Sequence, residues 1–254
     1  RVDACEATAR RHEQSEAVRE LRMACLDRIA VATGELTQLF LHADVATVDN
    51  ALPALGRLPG VSECARGDRL HPLPADVSVR VDIGAAEEKL ARAVALFAVG
   101  QRPKALEIGL AALAQARAAA YPPLLARVAL EVGTIQSTIQ KDQAEATLRE
   151  ALGQATELGD ADLEARAWCA LVQHLDRSSR DAEAAALLLP MDLAASRPGA
   201  APGRAGWAKL NRVAVMLDLD RYDEARQAAA DAVGLLEKNH RPGDTGLRSA
   251  LNLT

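Results

Sequence analysis

The chain has 254 residues, a formal charge of −5, 49% hydrophobic residues and only 2% aromatics, and about a fifth of it is alanine. Ala, Leu, Arg and Glu are strong helix formers, and the β-branched and aromatic alternation of a sandwich or barrel is missing. The 26% charged content argues against disorder, and an acidic chain offers no electrostatic footprint for nucleic acid.

In chain order, residues 1 to about 42 read as one long helix, straight or kinked. Val18, Leu21, Cys25, Ile29 and Ala32 mark its apolar face at spacings of three and four. A second helix is expected from Val45 to about Leu55, with Asp44 as its N-cap. Together they form an N-terminal helical hairpin. The stretch Pro59 to Pro74, with Gly60, Gly67 and Pro72, is the clearest non-helical segment. It divides the chain into an N-terminal helical segment and linker, 1–75, and a repeat region, 76–254.

From Asp76 onward the pattern is helical again. Breaks fall at Gly100-Gln101, Tyr121–Pro123, Gln140–Asp142, Gly159-Asp160, Arg177–Arg180, Pro198–Gly203, Asp220-Arg221 and Pro242-Gly243. They conceal a period. Ala105 and Ala112 are matched 39 residues later by Ala144 and Ala151, and the pattern returns at Ala184 and again at Ala225 and Ala232. Four repeats of near forty residues, each with two helices, indicate an all-α fold: an α-solenoid of stacked helix pairs. Residues seven apart share a helix face. A face of alanine lets two helices approach closely at no cost in side-chain entropy. The third repeat is the poorest, with Met191 in place of its second alanine and Pro190 expected to disturb its helix. A fifth repeat is expected to begin near Asp244. The chain opens on Arg1 rather than Met and reads as an excerpt of a longer protein.

The segment Asp220-Arg-Tyr222-Asp-Glu-Ala225, followed by Ala232, resembles the turn and second helix of a tetratricopeptide repeat. Gly100 matches that family's glycine before the turn. Ile139 and Asp220 depart from it, and Gly133 stands near the first-helix glycine, one residue out of register. A finer resemblance covers nearly the whole chain. Ala4-Cys5-Glu-Ala-Thr, Glu13-Gln-Ser15, Arg22-Met-Ala-Cys25-Leu-Asp-Arg28, Cys64-Ala65 and the tail His240-Arg-Pro-Gly-Asp with Leu251-Asn-Leu253 are similar to the region after the kinase domain in certain bacterial serine/threonine protein kinases. The resemblance implies a tetratricopeptide-like array that follows a kinase domain and a membrane helix. The kinase motifs themselves do not occur in this chain.

Little in the sequence points to chemistry. There is no phosphate-binding loop, no nucleophile elbow and no His-Glu-x-x-His. His12, His42, His71, His174 and His240 lie at no metal-ligand spacing, and no cysteines form a C-x-x-C pair. Cys169 reads as a buried thiol. The acidic runs at Glu87-Glu88 and Asp160–Glu164 sit near helix starts, where the helix dipole favours them. No catalytic residue, metal or cofactor is expected. On a continuous helix Cys5 and Cys25 stand about 30 Å apart and cannot bridge. An antiparallel return of the second helix brings Cys64 level with Cys25. That pair is the expected disulfide, against the alternative of two buried thiols in a reducing cytosol.

The reading that follows is a non-catalytic protein-interaction or sensor module. Arg127, Glu131, Thr134, Gln173, Lys209 and Arg212, on the first helices of their repeats, are its candidate ligand-facing residues. The partner is expected to be a protein or peptide. Nucleic acid and membrane insertion within this chain are not expected, and a homodimer stays open. The location is cytoplasmic or the extracytoplasmic side of a membrane-anchored parent protein. A purely structural dimerisation or spacer array, and the repeat segment of a bacterial transcriptional regulator, are the alternatives.

Overall fold

The computed structural model describes residues 2–65, 70–139 and 141–238, apart from the side chains of Glu63 and Lys141. The tail that carries Leu251, Asn252 and Leu253, and the helix expected from Asp244, lie outside these residues. The described residues form thirteen α-helices and one 3₁₀ turn, with no strand among them. They fall into two compact units, Arg1–Tyr121 and Pro122–Thr254.

The first unit begins with α1 (Val2–Ala9) and α2 (Glu16–Leu41). The expected single helix over residues 1 to 42 is therefore corrected. His12 takes a left-handed φ of 53°, and Ser15 caps α2 by accepting a hydrogen bond from the Val18 amide at 3.3 Å. The cause of the break is tertiary. Gln14 Nε2 donates to the Ala4 carbonyl at 2.7 Å and to Thr8 Oγ1 at 2.9 Å, and Arg22 Nη1 donates to Gln14 Oε1 at 2.6 Å. These bonds, with Arg11 and Arg22 on Asp3, fasten α1 to α2.

The expected second helix is two short ones, α3 (Val45–Asp49) and α4 (Ala51–Gly56). Asp44 caps α3 as expected, accepting from the Thr47 amide at 2.8 Å. Pro53 has no amide to donate back to Asp49, which weakens the helix where it divides. A 3₁₀ turn (Val61–Ala65) follows, then α5 (Val77–Ala98), capped by Asp76, and α6 (Arg102–Ala118). Leu36 of α2, Ala54 of α4 and Ala95, Ala98 and Val99 at the end of α5 form one buried cluster. Because α2 lies along α5, the helix pair α5–α6 belongs to this unit. The division between units falls after Tyr121 rather than within Pro59–Pro74.

The second unit contains α7 (Pro122–Ile139), α8 (Lys141–Leu158), α9 (Ala161–Arg177), α10 (Asp181–Ala186), α11 (Leu188–Ser196), α12 (Arg204–Asp218) and α13 (Tyr222–Glu237). Helix α7 pairs with α8, α9 with α10 and α11, and α12 with α13. The pairs also touch in sequence: α9 packs on α7 and α8, and α12 packs on α9 and α11.

The periodic alanines are the surfaces of closest approach. Ala105, Ala112, Ala144, Ala151, Ala184 and Ala232 are fully buried, and Ala225 nearly so. Met191 is fully buried in the place of the third repeat's alanine. That repeat's second helix is divided at Leu187, between α10 and α11. Pro190 then falls in the first turn of α11, where the missing amide costs nothing. Gly100 turns the chain between α5 and α6 at φ +87°. Asp220 fills the corresponding turn before α13 at φ +57°, a conformation that Asp tolerates better than most residues.

Candidate functional site

The polar surface of the second unit centres on α9. Asp162, Arg166, Cys169, Gln173 and Arg177 recur at spacings of three and four, so they share one face. Residues on this face reach helices on both sides. Toward α7, Arg166 pairs with Glu131, and Arg177 Nη1 donates to Ser137 Oγ at 3.4 Å. Toward α12, Arg204 donates from Nε and Nη2 to the two carboxylate oxygens of Asp162, each at 3.0 Å, and the Ala201 amide adds a bond of 2.7 Å. Gln173 Nε2 donates to Asn211 Oδ1 at 2.7 Å. Behind this face, buried Glu164 accepts from Arg197 at 2.7 Å.

Apart from Glu164–Arg197, which lies within one helix pair, these ties join residues 35 to 42 positions apart, close to the period of the alanine pattern. They bond α9 to α7 on one side and to α12 and the turn before it on the other. Asp162 and the two arginines near it form a partly buried charge set. Burial works to raise the Asp162 carboxyl, but the Arg204 charge and its hydrogen bonds outweigh it and hold the group below the usual carboxylate range.

Of the six residues expected to face a ligand, four are engaged with neighbouring helices. Glu131 holds Arg166, and Gln173 holds Asn211. Lys209 Nζ at 3.2 Å and Arg212 Nη2 at 2.7 Å converge on Asp192 of α11. Arg127 and Thr134 are half-buried and bond carbonyls of their own helix, Pro123 at 3.0 Å and Leu130 at 2.8 Å. The sequence reading missed the partners Asp162, Arg166, Asp192, Arg204 and Asn211. For Arg166 with Glu131 and Arg204 with Asp162 the one sequence signal is opposite charge at a separation of 35 and 42 residues; Asp192 and Asn211 carry no such signal.

Cys169 lies in the middle of the face but is buried. Burial is the main cause that pushes its thiol up to about 11, and the nearby carboxylates Asp192 and Asp162 act in the same direction. At neutral pH it is a protonated thiol, a poor nucleophile and a poor metal ligand.

At the far end of the same helices, Asp176 of α9, Asp181 of α10 and Asp218 of α12 bring carboxylate oxygens within 4.8 Å of one another. Burial, then the charges of Asp218 and Asp181, raise the Asp176 carboxyl to about 6. The three close carboxylates therefore hold a proton at mildly acidic pH. Acidic groups at adjoining helix ends do this without an ion, so the cluster alone assigns no metal.

In the first unit, Cys25 of α2 and Cys64 of the 3₁₀ turn form a disulfide, with Cα atoms 5.6 Å apart. Both are buried, whereas Cys5 on α1 is a half-buried free thiol. The disulfide ties the stretch after α4 to the middle of α2. Tyr121 holds that stretch further along, its hydroxyl donating to the Pro72 carbonyl at 3.0 Å. Gln14, Ser15, Arg22, Cys25 and Cys64, the most distinctive residues of the N-terminal segment, are all structural fasteners.

Among the described residues, no helix is long and apolar enough to cross a membrane. No protein-family model matches the chain, and none of the curated proteins compared with it matches either.

Proposed function

We propose that this chain is a non-catalytic protein-interaction or sensor module, built as a tetratricopeptide-like α-solenoid. We further propose that it serves as the regulatory region of a bacterial serine/threonine protein kinase whose catalytic domain lies outside this sequence. One observation carries the array reading. Helices α7, α9 and α12 touch in succession, and polar ties spaced by one repeat bond their equivalent faces. Stacked helix pairs of that kind offer an extended face to a peptide or partner helix. The buried, fully protonated Cys169 and the paired charges around it support binding over chemistry. The disulfide supports an oxidising, extracytoplasmic setting. Binding on the array would change the proximity or orientation of the attached kinase domains.

The test is affinity capture with this chain and with a variant that reverses charge on the α7 face, Arg127→Glu. A partner recovered by the parent chain and lost with the variant supports the reading. Recovery of no specific partner, or equal recovery by both, counts against it. Autophosphorylation of the parent protein with and without the captured partner then tests the kinase link.

The structural reading, a dimerisation or spacer array, is favoured by a different observation. Glu131, Gln173, Lys209 and Arg212 are already spent on internal ties, which stiffen a rod as well as they would line a groove.

A further inference from the structure

Helices α9 and α12 run parallel and meet polar group to polar group along their length. Near their starts Asp162 receives the Arg204 fork, and further on Gln173 donates to Asn211 at 2.7 Å. At their ends Asp176 meets Asp218, with Asp181 of α10 beside them. Asp176 and Asp218 each stand fourteen residues beyond Asp162 and Arg204 on their own helices, about 21 Å along the axis. The same two helices are therefore held together by opposite charges at one end and set against each other by like charges at the other.

The three carboxylates cannot all ionise without repulsion. Oxygens within 4.8 Å of one another in a partly buried setting favour a shared proton. Asp176 Oδ1 is closed off from water and accepts no hydrogen bond, so solvent does not offset a charge there. The nearby cations do not cancel the cluster. Arg177, beside Asp176 on α9, opposes the rise of its carboxyl but is outweighed by burial, Asp218 and Asp181. Arg180, in the turn before α10, is committed to Glu145 and Glu183.

We propose that the joint between α9 and α12 is a proton-operated hinge. With a proton on the cluster, the C-terminal ends of α9 and α12 and the start of α10 stay together. When the proton leaves, three adjacent negative charges push α12 away from α9 and α10 at that end, while the Arg204 fork holds the other end fixed. Helix α13 is paired with α12 and moves with it, so the face that α9 and α12 share changes its angle. The Asp176 carboxyl stands at about 6, whereas the Asp162 carboxyl is held below the usual carboxylate range. Between those values only one end of the joint titrates. The hinge rests on the sensor reading and names its signal, mild acidity.

The experiment is hydrogen–deuterium exchange of the whole chain with a chelator present, at about pH 5 and about pH 7.5, corrected for the intrinsic pH dependence of amide exchange. Amides in the last turns of α9 and α12 and in α10 should lose protection about 5-fold at the higher pH, the factor for one unfavourable charge at a half-exposed site. The first turns of α9 and α12 should keep theirs. Asp176→Asn should stay protected at both pH values, with its circular dichroism unchanged. Asp218→Asn, at an exposed position, repeats the test and should shrink the step. No step in the parent chain overturns the hinge. So does an equal step at both ends of α9, which reports a change in overall stability instead. A step that persists in both asparagine variants overturns its assignment to this cluster. A partner captured by the parent chain, with no such step, leaves the interaction reading standing and removes the hinge alone.

Discussion

Asp162 on α9 receives both Nε and Nη2 of Arg204 on α12, each at 3.0 Å. The two residues are 42 positions apart, so this bidentate pair joins one repeat to the next. Both side chains are about four-fifths buried, at 22% and 23% exposure. Arg204→Met removes the fork and leaves a partly buried carboxylate with the Ala201 amide and the more distant charge of Arg166, which should cost about 2 kcal/mol. Arg204→Lys should recover under half of that, because an ammonium cannot supply two parallel bonds. Urea unfolding of the three proteins at pH 7 checks both values. The Asp162 carboxyl is held below its ordinary value, so its contribution is present above about pH 4 and is lost as pH falls below that. The gap between the parent and Arg204→Met should therefore shrink in acid.

Asp176 has the opposite sign. Its carboxyl is raised to about 6 by burial and by Asp218 and Asp181. A group raised on folding favours the folded state fully below its unfolded value of about 4, and that contribution disappears as pH rises through about 6. Above pH 6 the folded protein holds three adjacent negative charges. Asp176→Asn should match the parent at pH 4 and exceed it by about 1 kcal/mol at pH 8, a value reduced for solvent screening. Thermal melts of both proteins across this range decide it. A constant difference, or a larger one in acid, would contradict the assigned proton.

The pattern of agreement between sequence and structure has a physical reason. Ala105, Ala112, Ala144 and Ala151 were legible because helix contact faces repeat every seven residues and tolerate only small side chains. Asp44 was legible as a cap because capping is local. The break at residues 10–15 was not. Ala, Arg and Glu around it all favour helix, and only the docking of Gln14 and Arg22 onto α1 ends α1 there. The ties of Asp162, Arg166 and Asn211 depend on the lateral register of neighbouring repeats, which no local pattern encodes. The expected ligand-facing residues lie on α7, α9 and α12, but their internal partners could not be read from periodicity alone.

Gly133 brings α7 against α8. A Cβ there would lie 2.7 Å from Leu148 Cδ2, 2.8 Å from its Cγ and 3.3 Å from its backbone amide. Leu148 is fully buried and has no room to retreat. Gly133→Ala should destabilise the second unit by about 2 kcal/mol, overpacking outweighing the better helix propensity of alanine. Gly206 repeats the relationship between α12 and α13, with Leu236 Cγ at 2.6 Å. Gly153 meets nothing within 4 Å, so Gly153→Ala on α8 should stabilise by up to about 1 kcal/mol. Opposite shifts in denaturation midpoint for two Gly→Ala changes on partner helices would isolate packing from propensity. A gain at both positions would show that α7 and α8 can move apart.

The disulfide can be tested unit by unit because of where the aromatic residues fall. Trp168 and Trp207 both lie in the second unit, whereas Cys25–Cys64 lies in the first. The bond closes a span of 39 residues, and loop-closure entropy for that length gives about 4 kcal/mol of stabilisation. A denatured, unreduced sample should titrate two thiols, Cys5 and Cys169. With reductant, the part of the circular dichroism melt due to the first unit should move to lower temperature. The tryptophan fluorescence transition should stay in place. Cys64→Ser should reproduce the reduced behaviour without reductant, since it removes the same constraint and leaves the second unit untouched. Four titratable thiols in the unreduced sample, or a tryptophan transition that moves together with the circular dichroism, would overturn the assignment of the bond as a local clamp on the first unit.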